Sequence, residues 1–140
     1  MSDVLGYLLP DDLYYHKEHM WVKLEGNIAT VGVTDFYQKL AGEISYIELP
    51  VEGDEVGADD VVGTVETGKW VGKIYAPLSG TIKEVNPDIS DDPTLPNQDP
   101  YGKGWLFKIE VSNLEEEIGN LYKGEAAIEW QKEEIEKHKQ

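Results

Sequence analysis

The chain has 140 residues, of which 28 are acidic and 12 basic, giving a net charge of −16, and it has no cysteine. Disulfides, thiolate metal sites and cysteine nucleophiles are therefore excluded, and any thiol or redox chemistry has to be carried by an attached group. Such a surface repels nucleic acid and anionic lipid and suits a carrier that docks on electropositive partners, although acidity serves solubility equally well. Eight tyrosines and four tryptophans fit a folded chain. The length predicts one domain spanning residues 1–140, with 1–8 and 131–140 frayed. No apolar run approaches a membrane span and no signal-peptide core follows the N-terminus, so a cytoplasmic protein, or the lumenal form of one processed elsewhere, is expected.

After a turn at Pro10–Asp12, the stretch Leu13 to Leu24 mixes aromatics with charges and is expected as a strand anchored by Trp21. Glu25-Gly26-Asn27 is a hairpin signal, and Ile28 to Val33 is the next strand, with Ala29, Val31 and Val33 on one face. Thr34-Asp35 starts a short helix whose stripe is Phe36, Tyr37, Leu40 and Ala41, closed by Gly42. Glu43 to Leu49 is a strand stopped by Pro50, and Gly53-Asp54 turns the chain.

Val61 to Glu66 leads into a tight Thr67-Gly68-Lys69 turn, and the chain returns through Lys73 to Ala76 before Pro77 and a turn at Ser79-Gly80. Gly68 is suited to the positive φ of a hairpin turn. Lys69 is thereby held out into water at a hairpin tip, which suits a lysine that a modifying enzyme must find and acylate.

Thr81 to Asn86 is a further strand. Asn86 to Gly104, with Pro87, Pro93, Pro96 and Pro100, is expected as a pinned surface loop. Trp105 to Val111 alternates, placing Trp105, Phe107, Ile109 and Val111 inward and Leu106, Lys108 and Glu110 outward. Ser112 is placed to cap a helix bearing Leu114, Ile118, Leu121 and Tyr122, which Gly124 breaks. Glu125 to Lys139 is a second helix, docked at its start and solvated at its end. Short strands with peripheral helices predict a mainly β sandwich or barrel. A weak echo between P-x-x-G-D-x-V before the lysine hairpin and A-P-L-S-G-T-I after it predicts two similar halves, with the lysine at their junction.

These segments together resemble the lipoyl-carrier fold, a barrel-sandwich hybrid, and specifically the H-protein family of the glycine cleavage system. The blocks occur in order: Y-x-K-E-H-x-W (Tyr15 to Trp21), V-G-V-T-D-F (Val31 to Phe36), L-x-G-E-I (Leu40 to Ile44), E-L-P-x-x-G (Glu48 to Gly53), E-x-x-K (Glu66 to Lys69), I-Y-A-P-L-S-G (Ile74 to Gly80) and P-Y-G-x-G-W-L-F-K-I (Pro100 to Ile109). The resemblance implies lipoate joined by an amide to Lys69. It implies that Glu66 and Gly80, with Gly68 in the turn, serve recognition by lipoylating enzymes, a ligase or a transferase. It makes the chain a carrier and not an enzyme, with dihydrolipoamide dehydrogenase among its partners. A monomer is expected of a carrier that visits several partners.

Two departures bear on what the arm carries. Where the family has H-E-W this chain has His19-Met20-Trp21, and where it has K-A-x-S-D this chain has Lys69-Trp70-Val71-Gly72-Lys73. By resemblance the missing acids help hold a cationic aminomethyl group in a cleft formed here by Glu18, His19, Met20, Trp70 and Lys73. A lysine beside a bound amine would cost on the order of 1 kcal/mol in a partly desolvated cleft. The expectation is therefore a sulfur-carrying role with a heterodisulfide-reductase-like complex in sulfur oxidation. The alternative is an ordinary H protein serving glycine decarboxylase and aminomethyltransferase, with Glu18 compensating in part. An unmodified binding module is the third possibility. His16 and His19 lie next to Glu18, but opposite faces of a strand and the lack of a third ligand argue against a metal pair. Trp70 beside the lysine either shields the arm, meets a partner or packs on the hairpin.

Overall fold

The computed structural model describes residues 2–138. The chain opens with β1 (Ser2–Val4) and β2 (Tyr7–Leu9), a hairpin turning at Leu5 and Gly6, both at positive φ. It continues through β3 (Tyr14–Tyr15), β4 (Met20–Glu25), β5 (Ile28–Val33), α1 (Asp35–Ala41), β6 (Ile44–Glu48) and β7 (Glu55–Val56). Then come β8 (Val61–Thr67), β9 (Val71–Tyr75), β10 (Gly80–Val85), α2 (Leu95–Gln98), β11 (Phe107–Val111), α3 (Leu114–Glu117) and α4 (Glu125–Lys137). One sheet has the order β3-β4-β5-β11-β10-β7 and another the order β6-β8-β9, every pairing being antiparallel.

The two sheets share one core. Val22, Ala29, Val31, Ile82, Phe107 and Ile109 of the larger sheet pack with Ile47, Val65 and Ile74 of the smaller. This is the mainly β barrel-sandwich architecture expected. A second apolar cluster forms outside it, where Val4 and Leu9 of the N-terminal hairpin meet Trp21, Phe36 of α1, and Ala127, Trp130 and Ile135 of α4.

That second cluster corrects the frayed termini. Val4 is buried on the hairpin, and on α4 Gln131 and Ile135 are buried together with Trp130, whose ring stacks on Tyr122 at 5.3 Å. Apolar burial at both ends outweighs their short length and charge. Met1, Lys139 and Gln140 lie outside the described residues.

Leu13 to Leu24 is not one strand. A turn between His16 and His19 breaks it, closed by the His19 N–H on the His16 carbonyl at 2.9 Å. Strand β4 is buried on both faces, Met20 and Val22 in the main core and Trp21 in the second cluster. Leu106, expected outward, is fully buried: the strand begins one residue later, and the Leu106 N–H bonds the Val31 carbonyl at 2.8 Å. The helix expected from Leu114 to Tyr122 stops after one turn. Asn113 precedes it with no capping side-chain bond, Glu115 to Glu117 crowd one turn, and a 3-10 turn (Ile118–Asn120) follows.

The echoing segments pair with each other, Gly80 opposite Val56 and Thr81 opposite Glu55. That pairing belongs to the larger sheet, whereas the lysine hairpin belongs to the smaller, so the lysine does not sit at their junction.

The proline-rich loop is pinned as expected. Ile89 is buried, and the Asn86 side chain donates to the Lys103 and Trp105 carbonyls at 2.9 and 2.7 Å. Asn97 accepts from the Ile44 N–H and donates to the Gly42 carbonyl at 2.8 Å, fixing the end of α1. Thr34 caps the start of α1 by accepting from the Tyr37 N–H, and Gly42 ends it at φ 84°.

Candidate functional site

Strands β8 and β9 form the hairpin that carries Lys69, with Glu66 opposite Val71, Val65 opposite Gly72 and Thr64 opposite Lys73. Its tip is Gly68, Lys69 and Trp70. The Thr67 N–H donates to the Trp70 carbonyl at 2.8 Å, and the Lys69 N–H reaches the Thr67 hydroxyl at 3.4 Å. Lys69 is exposed at the tip, and its Cε lies 3.4 Å from where a Cβ on Gly42 would stand. The Lys69 side chain thus lies against the end of α1, which Asn97 holds.

Gly68 does not have the positive φ expected of it, and an added Cβ would meet nothing within 4 Å. The tip is closed by Thr67 and Trp70 instead, which leaves Gly68 in ordinary backbone. Glu66 is exposed on β8 opposite Tyr46, and its carbonyl accepts from the Ser45 hydroxyl at 3.1 Å. Gly80 is not at the tip. It is buried in β10, where a Cβ would overlap the Glu110 carbonyl and stand 2.7 Å from Ile109 Cγ2.

A cavity of about 360 Å³ lies beside the hairpin. Glu18, His19, Trp70 and Lys73 line it, and so do Tyr37, Leu40, Val71, Tyr75, Glu134 and His138. Met20 does not line it. Its side chain is fully buried in the main core, because β4 turns it away from the His16–His19 turn that faces the cavity. Glu134, on α4, and His138, just past its end, escaped sequence reasoning because they come from far along the chain, and only the apolar stripe of that helix hinted at docking.

His19 holds the two parts of this wall together. Its backbone is left-handed (φ 71°), its ring lies 5.0 Å from Phe36 and 4.8 Å from Trp130, and its Nε2 meets the Glu134 carboxylate at 3.0 Å. Burial pushes its pKa below the usual histidine value, and the Glu134 bond offsets this only in part. The neutral ring donates a hydrogen bond from its Nε2–H to the carboxylate, so its buried Nδ1 is a lone-pair acceptor without a hydrogen-bond donor among the described residues. Burial pushes the Glu134 carboxyl up, but hydrogen bonds from Lys137 and His19 outweigh it and hold the carboxyl below its ordinary value.

His16 faces the other way. It is buried, its Nδ1 accepts from the Glu18 N–H at 3.1 Å, its Nε2 meets Asp59, and its ring stacks on Tyr75 at 5.9 Å. Each histidine thus has its own carboxylate. A Tyr37 hydroxyl bond to the Lys73 carbonyl at 3.1 Å ties α1 to β9 across the cavity.

Two antiparallel sheets packed on one core, the smaller ending in a hairpin with an exposed lysine at its tip, make a fold of the barrel-sandwich class. The family model for the glycine cleavage H-protein matches residues 13–134. Among curated relatives, the glycine cleavage system H protein of Carboxydothermus hydrogenoformans is 50% identical over 114 residues, covering 81% of this chain and 87% of its own. Glycine cleavage system H protein 4 of Aquifex aeolicus is 42% identical over 137 residues, covering 98% and 80%. The crystal structure of a glycine cleavage system H protein from Mycobacterium marinum superposes with a TM-score of 0.77 at 32% identity, covering 88% of this chain and 98% of that one. The chain belongs to the glycine cleavage H-protein family.

Proposed function

We propose that the chain is a lipoyl carrier, with Lys69 the residue that is acylated. The observation that carries this is the exposed Lys69 at the end of a hydrogen-bonded hairpin, next to a cavity large enough to receive the end of an arm. Open space around Gly68 and the exposed Glu66 leave that tip accessible to a lipoylating ligase or transferase. A bound lipoyl group would supply a dithiol and disulfide couple, which a chain without cysteine lacks. The protein's own part is to present Lys69 Nζ at a fixed point, shelter what hangs from it in the cavity and dock on partners, so that tethering raises the local concentration at each active site.

Membership of the family favours carriage of the aminomethyl group between glycine decarboxylase and aminomethyltransferase, with reoxidation by dihydrolipoamide dehydrogenase. Glu18 and Glu134 on the cavity wall suit that cation. One observation favours the second reading, a sulfur-carrying role with a heterodisulfide-reductase-like complex: Lys73 lines the same cavity, where it would attract an anionic load and repel an amine. Met20, in the core, lends it no support.

Intact mass of the chain made in cells supplied with lipoate, with peptide mapping across residues 67–73, tests the carrier reading. One lipoyl group on Lys69 is expected. No modification by any lipoylating enzyme would leave an unmodified binding module. Full activity of the lipoylated chain as aminomethyl acceptor separates the two loads. Size-exclusion chromatography with light scattering is expected to give a monomer.

A further inference from the structure

The tip of the lysine hairpin has two sides. On one, Trp70 packs onto Tyr37, the rings meeting edge-on with centroids 5.4 Å apart, and borders the cavity. On the other, Lys69 borders a separate groove of about 450 Å³, together with Thr67, Gly68 and the turn from α1 into β6, Ala41 to Ser45. One wall of that groove thus comes from the hairpin and the other from a turn far earlier in the chain.

That turn is tightly held. Asn97 on α2 spends its whole amide there: its Oδ1 accepts from the Ile44 N–H at 2.9 Å, and its Nδ2 donates to the Gly42 carbonyl at 2.8 Å and to the Gln38 side chain at 3.0 Å. Gln38 in turn donates to the Asp35 carboxylate at 2.7 Å. The Ser45 hydroxyl donates to the Glu66 carbonyl at 3.1 Å, joining the turn's far end to the lysine strand. Between the two backbone groups that Asn97 grips stands Glu43. It is exposed, and it borders both the Lys69 groove and another on the turn's opposite side with Thr94 and Gln98, so it sits on a ridge.

Glu66, on the hairpin itself, is exposed directly opposite Tyr46, which is 52% exposed, so the two share the outer face of the smaller sheet. None of Glu43, Glu66 and Lys69 is in an ion pair among the described residues. Two unpaired carboxylates and an exposed aromatic ring therefore accompany an unpaired lysine, on backbone that is already fixed. A partner gripping such a surface loses little further conformational freedom of the chain.

We propose that the turn between α1 and β6 is the second half of the footprint by which a lipoylating enzyme takes hold of Lys69, with Glu43 a charged contact, Tyr46 an apolar one and Asn97 the positioning residue. This rests on the lipoyl-lysine reading above. The enzyme is defined by its chemistry: basic side chains facing Glu43 and Glu66 around the mouth that admits the lysine. Complementary charge favours encounter, and a half-exposed tyrosine offers apolar area to bury. Because the two acids lie on separate elements, their spacing about the lysine exists only in the folded chain, and this sets Lys69 apart from the other lysines.

Lipoylation of the full chain by a purified lipoate ligase supplied with lipoate and ATP, followed by intact mass at several chain concentrations, tests this. Glu43→Gln is expected to raise KM about threefold or more with kcat nearly unchanged. The difference should shrink as salt is added, since screening weakens the same attraction in the unaltered chain. Tyr46→Ala should raise KM at every salt concentration. Asn97→Ala should raise KM, and adding Glu43→Gln to it should change little further, because a turn no longer held does not place the carboxylate. Acetylation of Lys69 by a small reagent, mapped by peptide, should be equal in all variants. Equal KM for Glu43→Gln and the unaltered chain at low salt, a difference that salt leaves untouched, or altered acetylation of Lys69 in Glu43→Gln would overturn the proposal while the carrier reading stands. An unaltered chain that gains no lipoyl mass would overturn the carrier reading and the footprint with it, a distinguishable outcome.

Discussion

The imidazole Nε2 of His16 stands 2.6 Å from the Asp59 carboxylate, and Asp59 makes this bond from a left-handed backbone at φ 73°. The pair joins the loop before β8 to the turn that carries Glu18 and His19 to the cavity. The Asp59 N–H also donates to the Ala76 carbonyl at 2.7 Å. Asp59→Asn keeps an acceptor and a side chain that tolerates this backbone, and it is expected to change stability by under about 0.5 kcal/mol. Asp59→Ala loses both and should cost about 1–2 kcal/mol in urea unfolding. A double-mutant cycle with His16→Ala should give a coupling of about 1 kcal/mol, and strict additivity would show that the pair contributes nothing.

Gly68 and Gly80 should respond in opposite ways. Gly68→Ala places a methyl group in open space on ordinary backbone, so its melting temperature is expected to match the unaltered chain. A loss of lipoylation in that variant would then report enzyme recognition alone. Gly80→Ala drives a methyl group into the Glu110 carbonyl between two paired strands and should destabilise by about 2 kcal/mol or more. Thermal melts of both variants check the contrast.

Acidification should weaken the docking of α4. The pKa of His19 is lowered in the folded chain, so the unfolded chain binds the additional proton. Its contribution to stability is present above the ordinary histidine pKa of about 6.5 and is lost as pH falls below it. Asp59 and Glu134, both held low, add losses at still lower pH, through the carboxylate range. Unfolding followed between about pH 7.5 and pH 5 should show stability falling, and His19→Phe should flatten the slope in the histidine range. An unchanged slope would assign the loss to other groups.

Trp130 anchors α4 between Tyr15, His19 and Tyr122, with ring centroids at 6.1, 4.8 and 5.3 Å. Trp130→Ala should cost about 3–5 kcal/mol. It should also expose the Glu134 side of the cavity, seen as faster amide exchange along α4 while the β sheets keep their protection. Loss of protection everywhere at once would show instead that α4 and the barrel unfold as one unit.

The strands and the lysine hairpin were legible because turn residues bracket short β-branched runs, and because Thr34 and Gly42 mark the ends of α1 so plainly. Local signals failed where a segment is buried on two sides. Met20 and Trp21 point into different cores, both apolar, so no period-two pattern separates them and nothing local distinguishes a core Met20 from one in the cleft. Leu106 reads as outward only if the strand starts at Trp105, whereas it starts at Phe107. Gly68 needs no left-handed backbone, because the bond between Thr67 and Trp70 closes the tip. The cavity itself is a product of long-range packing. Its pairing of His19 with Glu134 joins residues from opposite ends of the chain, and no spacing rule connects them.

The hairpin is gripped at both ends, by the Thr67 N–H on the Trp70 carbonyl at its tip and by Asp59 and Asp60 on the backbone of Ala76 at its base. A tethered group hung from such a mount sweeps a spherical shell about a centre that does not wander. A client enzyme then needs no complementary fit to a moving loop. It needs only to place its active-site mouth within one tether radius of a known point, so unrelated enzymes can share this carrier by meeting a single geometric condition.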